Sequence, residues 1–274
     1  MSNEAYAIFL GMHAKAQYIW SFMNGDVRPR VDRASSEIDG FGAFRGQFYR
    51  ANAWMYSIAR LIEPADFQPT VAGARALLEI AIDSTLMHHD ATTYPWQKLN
   101  AWEESAKLKQ AQKVADFYQR TGQAPSGEHD GPLRFLRTDR QRVEQLRGQY
   151  WTRQNGRPYH PMRWTGRGLD QDAQAAEQLS GESFREFYEL RYGELCWNTH
   201  GSGTAGFAGV SPEVFPFIGG RALDECVRFS MVATKIIARH LRLWPGELDH
   251  VFNDAQARAD AACRLAYGEI RSRE

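Results

Sequence analysis

Residues 248–270, LDHVFNDAQARADAACRLAYGEI, set Leu248, Val251, Phe252, Ala255, Ala259, Ala262, Ala266 and Ile270 on one stripe at helical spacing, with Asp254, Arg258, Asp260 and Arg264 off it. This is the pattern of an amphipathic helix, and Pro245 suits its first turn. The preceding stretch, Arg221 to Leu243, repeats the pattern with Ala222, Cys226, Phe229, Ala233, Ile236 and Ile237. It finishes in Arg239, His240 and Arg242, cations that a helix C-terminus favours. The two segments are expected to pack as an antiparallel hairpin.

Working outward, the same periodicity marks helices over Asn3 to Met23, Phe44 to Ile62, Val71 to Asp90, Trp96 to Arg120, Leu133 to Trp151 and Ser183 to Thr199. Thr70 is expected to cap the third of these, and Ser183-Phe-Arg-Glu186 reads as a capping box. No run alternates β-branched and aromatic residues between turn signals. The expectation is one all-α domain spanning 1–274, a helical bundle of about eight helices.

The 274 residues are 43% hydrophobic, enough for a sizeable core. The 33 Lys and Arg balance the 33 Asp and Glu, so no global field draws the chain to nucleic acid or to an anionic membrane. No long apolar run is present and Met1-Ser2-Asn3-Glu4 lacks a basic leader, so a soluble cytoplasmic protein with no membrane partner is expected. Cys196, Cys226 and Cys263 form no CxxC or Cys/His cluster and are expected as small buried hydrophobes.

Charge is nevertheless unevenly spread. Residues 120–168 hold ten arginines and no lysine against four acids, a local charge of about +6. Aromatic rings and Gly/Pro residues are interleaved with them. This segment is expected as an irregular insertion or lid, with Arg153, Arg157, Arg163, Trp151 and Trp164 placed to hold phosphates and stack bases. Nucleic acid or a phosphorylated ligand is the partner it suits. The alternative is that its arginines pair with acids of the same fold.

The Val71 to Asp90 helix is apolar around much of its circumference, yet at 100° per residue Arg75, Glu79 and Asp83 share one stripe. Two carboxylates on a buried stripe need answering charges, from Arg75 and from a second arginine, a metal or a ligand. His88 and His89 fall off that stripe and read as a solvated helix end. His200 stands where a helix gives way to a glycine-rich loop, placed to donate a proton or bind phosphate, or simply to cap. Tyr188 and Tyr192 share a face of the helix before it. Gly201-Ser-Gly203-Thr-Ala-Gly206 matches GxGxxG, but a helix precedes it where a dinucleotide site needs a strand. Walker, HExxH, GxSxG and EF-hand patterns are absent from the sequence, and the cofactor is left open.

Arg75-Ala-Leu-Leu-Glu79 on a central helix, followed by Tyr192 and then His200-Gly201, resembles a bacterial family designated domain-of-unknown-function family 5677, over roughly Phe44 to His240. The resemblance implies an α-helical protein and names no reaction. A looser resemblance is to the HEPN nucleases, helical bundles that use an arginine and a nearby histidine to cleave RNA. Here Arg153 and His160 have six residues between them, spanning Gly156 and Pro158, and Arg191 and His200 have eight.

Three functions are carried forward. The first is a defence- or toxin-like enzyme acting on nucleic acid through residues 120–168. The second is a small-molecule or metal-dependent enzyme using Glu79, Asp83 and His200, with Arg75 and Tyr192 beside them. The third is a non-catalytic interaction protein, and a homodimer is left open.

Overall fold

The structure is a computed structural model that describes residues 3–90, 93–153, 155–199 and 212–271. Every regular element among these is helical, and the one extended pairing is an isolated bridge between Thr152 and Pro158. The expected all-α bundle is what forms. None of the described helices is long and apolar enough to cross a membrane.

The helices are α1 (Asn3–Phe22), α2 (Arg28–Arg33), α3 (Phe41–Ile58), α4 (Phe67–His89), α5 (Pro95–Thr121), α6 (Asp130–Tyr150), α7 (Leu169–Ser180), α8 (Phe184–Phe187), α9 (Gly193–Thr199), α10 (Phe215–His240) and α11 (Leu248–Arg271). Two π-helical turns interrupt them, Met23–Val27 between α1 and α2 and Tyr188–Tyr192 between α8 and α9. The chain divides into two compact units, residues 1–89 with 173–274, and residues 90–172. The second unit thus begins at Asp90, ahead of the expected boundary at Arg120, and takes in the long polar helix α5.

In the first unit α4 lies along α10, and α1 and α3 pack against them. Phe9, Phe44, Phe48, Phe184 and Phe229 are fully buried among their aliphatic residues. The Cys226 thiol donates to the Thr70 carbonyl at 3.5 Å, tying α10 to the start of α4. Lys15 on α1 reaches Asp224 on α10 at 3.3 Å and Asp260 on α11 at 3.0 Å.

The expected hairpin of the last two helices does not form. α11 lies chiefly along α1. Two features account for this. The turn between α10 and α11 passes through left-handed backbone at Arg242, Trp244 and Gly246, which redirects the chain. On α1, Gly11 then lets α11 approach closely, since a Cβ there would stand 3.1 Å from both the carbonyl oxygen and Sγ of Cys263.

Other local expectations are also revised. Helix α4 starts one turn before Thr70, whose hydroxyl donates to the Asp66 carbonyl from inside the helix. The preceding short turn is closed by a reciprocal box between Glu63 and Asp66. Ser183 makes no side-chain cap, and the Arg185 amide instead donates to the Glu177 carboxylate at 2.8 Å. Cys226 is buried, whereas Cys196 and Cys263 are only partly so.

The second unit is the α5–α6 hairpin with residues 151–168 folded upon it. Trp102 donates to the Pro161 carbonyl at 3.0 Å, Lys98 to the Thr165 carbonyl at 2.9 Å, and Trp151 to the Trp164 carbonyl at 3.2 Å. Ser105, fully buried, is 2.8 Å from His160 Nδ1 and also accepts from Arg147. Asp172, with no exposed surface, accepts from Arg163 at 2.7 Å, Thr165 at 2.8 Å and Arg167 at 2.9 Å.

Candidate functional site

The α4 stripe and the second π turn meet. Arg75 Nε donates to Glu79 Oε1 at 3.3 Å and to the Tyr192 hydroxyl at 2.9 Å, and that hydroxyl donates to Glu79 Oε1 at 2.9 Å. Guanidinium, carboxylate and phenol thus close a hydrogen-bonded triangle. The guanidinium carbon also lies 5.2 Å from the centre of the Tyr192 ring, which stacks on Tyr188 at 4.9 Å.

Helical geometry explains the α4 side, since residues a turn apart share a face. The π turn explains the other side. Adjacent residues of a helical turn point about 100° apart, so within it the neighbours Arg191 and Tyr192 serve different helices. Arg191 is buried and donates to Glu225 on α10 at 2.8 Å, with Glu194 bonded to the same guanidinium, while Tyr192 turns to α4. Burial and the Arg191 contact oppose each other at Glu225, and burial prevails, holding its carboxyl above the usual range.

The triangle is half-buried, with 27% of the Arg75 side chain and 33% of the Glu79 side chain exposed. Burial and the adjacent Glu79 charge push the Tyr192 phenol far above its ordinary pKa. It therefore stays protonated and acts as a donor. Asp83 is partly buried one turn further along α4. Cys196, one turn beyond Tyr192, lies near both Arg75 and Tyr192. His200 and the Gly201–Gly206 loop lie outside the described residues. Among the described residues, no group of three or more His, Cys, Asp or Glu is gathered to hold a metal ion.

The Arg/aromatic segment is placed differently from the surface expected of it. Trp151 and Trp164 are buried, with exposures of 2% and 5%, so neither offers a face for a base. Arg163 is tied to Asp172. Arg153 and Arg157 are exposed, and Arg153 lies over the Tyr159 ring at 5.7 Å. His160 pairs with Ser105 and stacks on Trp102 at 5.8 Å.

Sequence reasoning missed a histidine cluster at the end of α4. His88 and His240 approach Nδ1 to Nδ1 at 3.3 Å, and His240 Nε2 donates to the Asp39 carbonyl at 2.7 Å. Neutral His240 must then accept at Nδ1 from His88. Phe44 stacks on His240 at 3.7 Å. Burial, aided by the neighbouring His89, His240 and the Arg239 cation, lowers the His88 pKa to about 4. Burial lowers that of His240 against its bond to Asp39. These are neutral packed rings, contrary to the solvated helix end and the terminal cation expected of them. The spacing of 152 residues between them left no local signal.

Comparisons with protein-family models, curated proteins and solved structures find no significant match to the chain.

Proposed function

We propose that the protein is an acid–base enzyme acting on a small oxyanionic substrate, a phosphate ester foremost, at the cluster of Arg75, Glu79 and Tyr192. One observation carries this reading: a half-buried guanidinium, a carboxylate and a phenol hydrogen-bond to one another on two rigid helical elements. A guanidinium suits the planar recognition of phosphate or carboxylate. In this reading the substrate oxyanion takes up the Arg75 bond shared with Tyr192. Glu79 then serves as the base, and the phenol, protonated at neutral pH, donates to the reacting oxygen.

Inorganic phosphate and a panel of phosphate monoesters provide the test, read by thermal shift and by phosphate release. The wild-type chain should be stabilised and should turn over at least one ester. Glu79→Gln should keep the stabilisation and lose turnover, while Arg75→Ala should lose both. A wild-type chain that neither binds nor hydrolyses any of them overturns the proposal.

A second reading, a nucleic-acid-acting enzyme, is favoured by the exposed pair Arg153 and Arg157 beside Tyr159. It requires RNA binding that weakens with salt and with Arg153→Ala and Arg157→Ala. Binding indifferent to both would remove it.

A further inference from the structure

A pocket of about 370 Å³ lies away from the Arg75 cluster, where the first π turn faces α3. Tyr49, Asn52, Ala53 and Tyr56 supply one wall. Their spacing makes a single helix face, on which Ala53 leaves room between the two phenols. Trp20 at the end of α1, Asn24 in the π turn and Arg28 at the start of α2 supply the other. A volume of this size falls in the range of small-molecule sites.

Two polar atoms of this pocket's residues are buried without a partner. They are the Trp20 indole Nε1, a donor, and Asn52 Oδ1, an acceptor. Asn52 is 8% exposed. Such orphans are rare in folded proteins, because each forgoes its bond to water and gains nothing in return. Here an unmet donor and an unmet acceptor belong to two residues that line one cavity with aromatic walls. Trp20 and Tyr56 sit 5.5 Å apart at a tilt of 53°, and Tyr49 is held by its bond to Asp32. Arg28 is exposed beside the cavity, bonded to Asn24 at 3.1 Å, paired with Asp32 at 3.9 Å and lying 5.8 Å from the Tyr49 ring centre.

We infer that this pocket binds a planar nitrogen heterocycle of the nucleobase class, whose adjacent acceptor and donor meet the Trp20 indole N–H and the Asn52 carbonyl. A lactam or amidine edge carries such a pair side by side, and its flat ring suits aromatic walls. Neither protein atom is open to bulk water, so binding includes a small turn of the indole and of the Asn52 amide toward the ligand edge. Arg28 is positioned for a negative substituent on the ring or its sugar. The inference is independent of the reaction proposed at Arg75.

The test titrates the four common ribonucleosides and their 5′-monophosphates into protein labelled with ¹⁵N at tryptophan. The Trp20 indole resonance is assigned by its loss in Trp20→Phe. At least one base should shift that resonance saturably, and its monophosphate should bind more tightly in a way that Arg28→Ala removes. Asn52→Leu exchanges an unpaired buried acceptor for an apolar group of similar shape. It should leave the thermal midpoint equal or higher while weakening binding at least tenfold, so lost binding cannot be put down to misfolding. Three outcomes each overturn the inference: no saturable shift with any probe at millimolar concentration, undiminished binding by Asn52→Leu, or a bound water that satisfies both atoms in a crystal grown with the ligand.

Discussion

Substituting Asp172 removes the acceptor that holds residues 163–172 together. Its carboxylate is fully buried and takes bonds from Arg163, whose side chain is 13% exposed, from Thr165, and from Arg167, which is 46% exposed. The bond to Arg163 is charge-assisted and desolvated, a class that contributes about 1.5–3 kcal/mol, and the hydroxyl bond adds roughly 1 kcal/mol. The Arg167 bond is screened by water and adds less than about 1 kcal/mol. Recovered hydration of the carboxylate is not at issue in Asp172→Ala, because the group is gone, but the desolvated Arg163 charge loses the Asp172 counterion. The expected loss is therefore about 3–5 kcal/mol, the range for breaking a buried pair from one side. Urea denaturation gives the magnitude. Faster amide exchange in α5 and α6 locates it in the second unit. Arg167→Ala should cost under about 1 kcal/mol and Arg163→Ala about 2–3 kcal/mol. A loss below about 1 kcal/mol for Asp172→Ala, or equal costs for the two arginines, would refute the reasoning.

At the candidate site, Tyr192→Phe removes one donated and one accepted bond in a half-exposed setting and should cost about 1–2 kcal/mol by denaturant titration; no change would mean that solvent already satisfies Arg75 and Glu79. Acid should weaken the fold through the histidines. Because the folded pKa of His88 is about 4 against 6.5 unfolded, the unfolded chain binds protons the folded one refuses, and stability drains away as pH falls from about 6.5 toward 4. For His88 alone the slope approaches roughly 1.4 kcal/mol per pH unit, reduced by its partial exposure. His88→Leu should flatten the curve measured between pH 7 and 4.5, and an unchanged slope would assign the loss elsewhere. Gly11→Ala forces α1 away from the Cys263 carbonyl and should cost about 1–2 kcal/mol in thermal or urea unfolding, whereas Gly25→Ala, with open space around it, should show no such clash.

The long amphipathic helices were legible because a stripe of large apolar residues is a local signal. Helix α7 was not, since its buried positions are the charged Asp172 and the alanines Ala173 and Ala176, which are too small to stand out in a polar stretch. The partnership of Arg75 and Glu79 could be read from their spacing on one helix. That Tyr192 joins them depends on a π turn, and nothing in Tyr188–Tyr192 announces one. Charge composition located the arginine-rich segment but could not say which arginines were engaged. Arg163 and Arg167 find Asp172 in a helix that had not been recognised, and Trp151 and Trp164 are covered by a chain reversal whose closing contacts run from Lys98 and Trp102. The packing of α11 on α1 was hidden for a related reason, because an apolar stripe tells that a face is buried and is silent about its partner.

The π turn at Tyr188–Tyr192 also makes this part of the chain unusually responsive to length. A π turn is an α-helix carrying one surplus residue in a widened turn, so loss of a single codon there lets the helix regularise with its flanking segments close to their present phase, and only the residues inside the turn change direction. Arg191 and Tyr192 lie inside the turn, so the directions in which they face α10 and α4 would change. For descendants of this gene, a one-residue deletion at this place would dissolve the cluster more completely than most replacements of its side chains, while leaving the bundle's apolar faces intact on either side.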